Sequence, residues 1–344
     1  MVRALSDGWR LAAALRDPST TAALDSDGWT ALLAMARAEQ LIGTLAHRLN
    51  GLALPPGVAR LLADARASAE QGRVAALWEA EMARRALAPL GLPVLLLKGS
   101  AYVAAGLRPG VGRSIGDLDI LVPRARIDAV EAALLAAGWE WVKPDPYDDA
   151  YYRRWMHELP PLIHRERDRM IDVHHTILPL TARVTPDADA LIAGALSLAT
   201  ISSGGGLSVL NPQDMICHAA AHLIADGDLA GGMRNLWDIH CLVDEFGVEG
   251  LANRARHHGL GPAVARAIRL ATGLYGTEAG VDWGQRNATD RLFLNRVTAR
   301  DGWGRTTRPV TRLGFYIRSH WLRMPPAMLA GHLWAKSRKG HSGL

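Results

Sequence analysis

Cysteine is almost missing from this chain: Cys217 and Cys241 are the only two in 344 residues, and both fall inside apolar helical patterns. That argues against a disulfide framework and against a cysteine-ligated metal, so both thiols read as small core residues. No apolar run approaches the ~20 residues needed to span a bilayer. No basic-then-apolar leader opens the chain either, since Met1 to Arg10 carries Arg3, Asp7 and Arg10. The expectation is a cytoplasmic protein with no membrane partner. Phenylalanine is scarce, three against eleven Trp, and Asp-Gly-Trp recurs at Trp9, Trp29 and Trp303 without the fixed period of a structural repeat.

What is present is a core-forming composition: 49% hydrophobic and 21% charged residues, enough for two or three packing units. The net charge of +5 is unevenly spread. Residues 296–344 carry ten Lys/Arg against one acid, which leaves the body mildly acidic.

Residues 1–91 read as an N-terminal helical region. Trp29 to Ala36 and Arg73 to Ala88 have helical apolar spacing, separated at Pro55-Pro56-Gly57 and stopped at Pro89 and Gly91. Residues 92–200 read as a core of short strands alternating with helices. Pro93 to Leu97 is a short apolar run between breakers, the mark of a strand covered on both faces. A short helix through Ala101 to Ala105, a Gly/Pro loop over Gly106 to Arg113, a strand Asp117 to Val122, a helix around Ile127 to Leu134 and a strand Trp139 to Val142 follow. His157 to Ile163 and Arg169 to His175 read as two further strands, the first demoted to a sheet edge by Pro160-Pro161. Residues 201–295 read as a helical domain, with one helix capped by Asn211 and opened by Pro212 and Asp214. Residues 296–344 form a basic, aromatic-containing C-terminal segment. Strands in the middle of the chain between helical regions give an α+β class.

Chemistry concentrates in residues 93–175. Side chains alternate along a strand, so Asp117 and Asp119 point one way while Leu118 and Ile120 bury on the other side. Two such close carboxylates repel unless a cation lies between them, and Mg²⁺ suits hard oxygen ligands. Asp172, inside Met170-Ile171-Asp172-Val173-His174, offers a third carboxylate if its strand lies alongside, and an acid between Ile171 and Val173 is costly unless paired or metal-bound. Gly99-Ser100 follows the first strand, where a residue without a Cβ lets backbone approach phosphate; an ordinary strand-to-helix turn reads the same. Lys98 and Arg113 are either triphosphate-neutralising cations or surface charges.

The pattern of an apolar strand, Gly99-Ser100, Asp117-x-Asp119 and then Asp172 resembles the DNA polymerase beta-like nucleotidyltransferase superfamily. Within it, Leu97-Lys98-Gly99, Arg113, Gly116 to Val122 and Ile171 to His174 are similar to the bacterial group of uncharacterised nucleotidyltransferases. Pro212, Asp214, His222, Arg234 and Asp238-Ile239 extend the likeness. The resemblance implies an α+β fold with a small mixed-sheet nucleotidyltransferase core flanked by helical regions, Mg²⁺ held by Asp117, Asp119 and Asp172, and transfer of a nucleoside monophosphate from an NTP, ATP by default, with release of pyrophosphate. The acceptor would offer a hydroxyl or phosphate on a small molecule, peptide or protein. Asp172 or His174 would take the proton, and Lys98, Gly99, Ser100, Arg113 and His174 would form the nucleotide-binding set. The sixteen residues between Ser100 and Asp117 exceed the usual spacing, as a mobile flap or as a surface loop.

Two alternatives accompany this reading: an RNA acceptor, on the strength of the basic C-terminus, and a catalytically inactive nucleotide-binding scaffold. His218 and His222, one helical turn apart with Asp214 and Asp226 at the same spacing, are weighed as a transition-metal face and read instead as core histidines. Arg234 and Asp238 stand in the weaker basic-then-acidic order for a surface pair, which favours a tertiary role.

Overall fold

A computed structural model describes residues 8–198, 206–280 and 282–323. Its centre is a seven-stranded mixed sheet of β1 (Val94–Leu96), β2 (Leu118–Leu121), β3 (Trp139–Trp141), β4 (Leu162–His164), β5 (Met170–His174), β6 (Leu196–Ser197) and β7 (Leu207–Val209). They lie in the order β3-β4-β5-β2-β1-β7-β6. Antiparallel β1 and β2 form the middle, and every residue of both is buried, as expected for strands covered on both faces. β2 runs parallel to β5, and β1 runs parallel to β7. Helices flank this sheet, giving the α+β fold.

The alternation of strand and helix from β1 to β3 matches the sequence pattern, with Lys98–Ala104 and Ile127–Ala136 as the intervening helices. β4 differs from expectation. It is not an edge strand but lies between β3 and β5. The physical reason is register: Pro160 and Pro161 precede the ladder, and the Pro161 carbonyl accepts from Val142 N at 3.2 Å, so neither proline withholds a donor the sheet needs. β7 was not anticipated, because three residues between a Gly-rich stretch and Pro212 carry too little pattern to distinguish a strand. The helix Pro146–Trp155, capped by Asp145, was also missed.

The helix Pro56–Leu87 packs across β2, Lys98–Ala104 and Ile127–Ala136. On the other side of the loop before β2, helix Gly232–Phe246 packs against Pro212–Ala220 and Gly261–Tyr275. Asn211 caps Pro212–Ala220 through Asp214 N at 2.9 Å, as its position suggested. The helix then widens into a π-helical turn, Ala221–Asp226. Arg318 donates to the carbonyls of Ile224 at 2.6 Å and Gly227 at 3.2 Å, satisfying acceptors at that helix end.

The long loop between Lys98–Ala104 and β2 is docked, not a flap. Arg108 N donates to Glu245 at 3.0 Å and its guanidinium pairs with Asp244, while Thr44 Oγ1 donates to the Val111 carbonyl at 3.2 Å. Gly112, at φ +66°, lies backbone to backbone on Gly43, so a Cβ on either would collide with the other's main chain. Gly112→Ala should therefore destabilise the protein by about 2 kcal/mol or more, combining left-handed strain with that collision. Gly106→Ala, also left-handed but facing open space, should cost only about 1 kcal/mol. Equal losses in urea unfolding would show that the Gly43 contact does not clamp the loop.

Candidate active site

Parallel pairing of β2 with β5 sets Asp119 directly opposite Asp172. Asp117, two residues earlier and on the same side, stands just before β2 at the surface. One oxygen from each of the three carboxylates lies within 4.8 Å of the others. The sequence expectation that three acids converge is met geometrically.

The members of this cluster are unequal. Asp119 is 4% exposed, and its Oδ1 accepts from Lys98 Nζ at 2.6 Å and interacts with His174 Nε2 at 2.9 Å. Burial alone would raise its pKa, but Lys98 and His174 outweigh that and hold the carboxyl well below the ordinary range. Among the described residues no Lys or Arg pairs with Asp172. Burial first, then the carboxylates of Asp119 and Glu158, push it up to about 7. An all-oxygen set that includes an uncompensated carboxylate fits a hard divalent cation.

Lys98 reaches Asp119 because it occupies the left-handed region at φ +48°, an uncommon conformation for a residue with a side chain. It opens the helix Lys98–Ala104 directly after β1, folding its ammonium back over β2. A cavity of about 290 Å³ lies beside the acids, walled by Lys98, Gly99, Arg113, Asp117 and Asp119 from the predicted set. Ser100, Asp172 and His174 are not in its wall. Ser100 is buried and its hydroxyl has no hydrogen-bond partner. It follows Lys98 and Gly99 in a helix, where the rotation of about 100° per residue carries it away from the cavity.

Gly99 also makes room for a neighbouring side chain. A Cβ there would meet Arg113 Nε at 2.6 Å, so the glycine makes room for a guanidinium. Arg113 pairs with Asp238 and lies over the Tyr102 ring, 5.5 Å from its centroid. Asp238 in turn faces Arg234 at 3.6 Å, and Arg234 donates to the Gln40 carbonyl and to Thr44 Oγ1, both at 2.7 Å. The i,i+4 pair thus has the tertiary role its order suggested. It joins helix Gly232–Phe246 to the N-terminal helices and, through Asp238, to the loop before β2.

Gln40, Tyr102, Ser114, His218, His222 and Asn235 also contribute to the wall. Nothing in the local sequence around Gln40 or Asn235 marks them. Both His218 and His222 line the cavity, but only His218 is the buried core residue the sequence suggested; His222 is exposed on the cavity side. Asp214 does not join them. It is fully buried and accepts from Arg254 at 2.6 Å, with His258 Nε2 at 3.1 Å.

Several C-terminal cations are committed internally: Arg296 faces Asp228, Arg300 pairs with Glu39, and Arg318 lies over Phe293 as well as capping the π-helical turn. Arg305, Arg308 and Arg312 remain at or near the surface. Lys336, Arg338, Lys339 and Trp334 lie outside the described residues. No helix among the described residues is long and apolar enough to cross a membrane.

A family model described as "uncharacterised nucleotidyltransferase" matches residues 25–276, a span that contains the acids, the cavity wall and the Arg113–Asp238–Arg234 chain. No curated protein matches the chain.

Two outcomes follow from the electrostatics. Asp172 binds its proton more tightly folded than unfolded, so the folded state loses stability as pH rises from the ordinary carboxyl range towards 7. In metal-free protein, Asp172→Asn should melt above wild type at pH 8, with the difference shrinking towards pH 4; a constant difference across that range would show that its ionisation is not strained. Arg234→Ala leaves Asp238 with Arg113 alone and frees buried acceptors near Gln40 and Thr44. It should cost about 2 kcal/mol in thermal or urea unfolding, and an unchanged midpoint would demote the network to incidental contact.

Proposed function

We propose, from the premise that this chain belongs to the uncharacterised nucleotidyltransferase family, that it transfers a nucleoside monophosphate from an NTP to a hydroxyl or phosphate acceptor with Mg²⁺ held by Asp117, Asp119 and Asp172. The observation that carries this reading is the register of Asp119 against Asp172, with Asp117 completing a carboxylate set at the end of a cavity walled by Lys98 and Arg113.

The volume of about 290 Å³ is near the lower bound for small-ligand sites. Lys98 and Arg113 supply positive charge towards the triphosphate, Arg113 as a planar fork steadied by Asp238 and Tyr102. Bound Mg²⁺ would neutralise charge on the phosphates and lower the pKa of the attacking hydroxyl. Asp172 accepts the proton of that hydroxyl, while His174, with its ring nitrogens towards Asp119 and Glu158, steadies Asp119 from behind. The acceptor oxygen bonds to the α-phosphorus as the bond to the pyrophosphate oxygen breaks. ATP is the default donor.

The acceptor side is supported by a second cavity of about 350 Å³, lined by residues that include Arg37, Asp64 and Ser68, which shares Gln40 and Ser114 with the first. Its mix of charged and small polar groups suits a polar small molecule or a peptide segment. Arg296, Arg300 and Arg318 are used internally while Arg305 and Arg312 stay exposed, so an RNA acceptor is kept as the second reading.

Pyrophosphate release with each of the four NTPs, with and without cell extract as acceptor source, tests the reaction. Release should require a divalent cation, and Asp117→Asn, Asp119→Asn and Asp172→Asn should each fold yet lose more than about a hundredfold in rate, beyond what loss of an outer partner costs. A wild-type rate in any one of them removes that residue from the site.

A further inference from the structure

We propose that His157, Glu158 and His174 form a second metal site, for a zinc-type transition-metal ion, distinct from the three carboxylates and joined to them through His174. Two imidazole nitrogens turn towards one carboxylate oxygen: His174 Nδ1 lies 3.3 Å and His157 Nε2 lies 3.7 Å from Glu158 Oε2. All three ligand atoms fall within 4.8 Å of one another. A tetrahedral ion with bonds of about 2.0–2.1 Å sets its ligands roughly 3.3 Å apart, so the triangle is close to the size such an ion requires.

A second observation points the same way. The His174 side chain is 2% exposed, yet its Nδ1 makes no hydrogen bond of regular geometry, an orphaned position that a metal would satisfy. The other ring nitrogen, Nε2, meets Asp119 Oδ1 at 2.9 Å. A ligating histidine whose far nitrogen donates to a carboxylate is the usual outer arrangement of a zinc site, fixing tautomer and ring orientation. The backbone holds these groups in advance. His175 N donates to the His157 carbonyl and Leu159 N to the Val173 carbonyl, each at 2.9 Å, so residues 157–159 run as a ladder beside β5. With two nitrogens and one oxygen, the set prefers zinc or a similar borderline ion over Mg²⁺, and water would complete it.

The test uses the full-length, metal-stripped protein and Zn²⁺ alone, in excess Mg²⁺ and without nucleotide, so its failure leaves the transferase reading untouched. Equilibrium dialysis should find one Zn²⁺ per chain, with binding weakened more than about tenfold by His157→Ala and by Glu158→Gln but retained in Asp117→Asn. No bound Zn²⁺ at micromolar concentration overturns the proposal. So does zinc that survives both substitutions but is lost in Asp117→Asn, which would place it on the three acids. Should the variants fail to fold, Co²⁺ added to the wild-type protein decides: an intense visible spectrum from a tetrahedral site supports the assignment, and a weak octahedral spectrum overturns it.

Discussion

Negative charge gathered at the end of a buried strand pair is the constraint around which the rest of this molecule is arranged. Parallel pairing of β2 and β5 places Asp119 against Asp172 whether or not a cation is present. The chain spends one side chain to relieve the deeper of the two. Lys98 takes an unfavourable backbone conformation directly after β1 and lays its ammonium on Asp119. Among the described residues no ammonium or guanidinium gives Asp172 equivalent relief, and burial beside Asp119 and Glu158 raises its pKa.

The second organising element is the chain of charges from Arg113 through Asp238 to Arg234. Arg113 lies on the loop before β2, Asp238 and Arg234 both lie on helix Gly232–Phe246, and Arg234 reaches the N-terminal helices through Gln40 and Thr44. Gln40 and Arg113 both wall the cavity, so the same contacts that join the units also shape the site. Buried ionic chains of this kind contribute little net stability relative to apolar packing, but removing one member is costly. Their effect is geometric.

Much of this was legible in the sequence where physics acts locally. Alternation placed Asp117 and Asp119 on one face, and the strand reading of residues 170–174 brought Asp172 alongside them. The capped start at Asn211 and the order of Arg234 and Asp238 carried their own mechanisms. What was not legible depended on distance along the chain or on helical phase. Arg113 and Asp238 are 125 residues apart, and no spacing rule joins them. Ser100 looked like a phosphate ligand by its place after Gly99 but rotates inward within the helix. Gly99 read as room for phosphate, and the room it makes for Arg113 was not foreseen. Pro160-Pro161 suggested an edge because proline lacks a donor, whereas the ladder begins one residue later.

The docked loop from Gly106 to Arg113 has a thermodynamic side. Each residue ordered on ligand binding costs roughly 1–2 kcal/mol of backbone entropy, a cost that falls on affinity in proteins whose phosphate-facing loops close only over the ligand. Here Gly112 already rests on Gly43, and the Arg108 backbone and guanidinium are already tied to Glu245 and Asp244. That entropy is lost once, during folding. The occupancy of the cavity is therefore governed by charge and shape, with little ordering of this loop left to oppose entry or to delay departure.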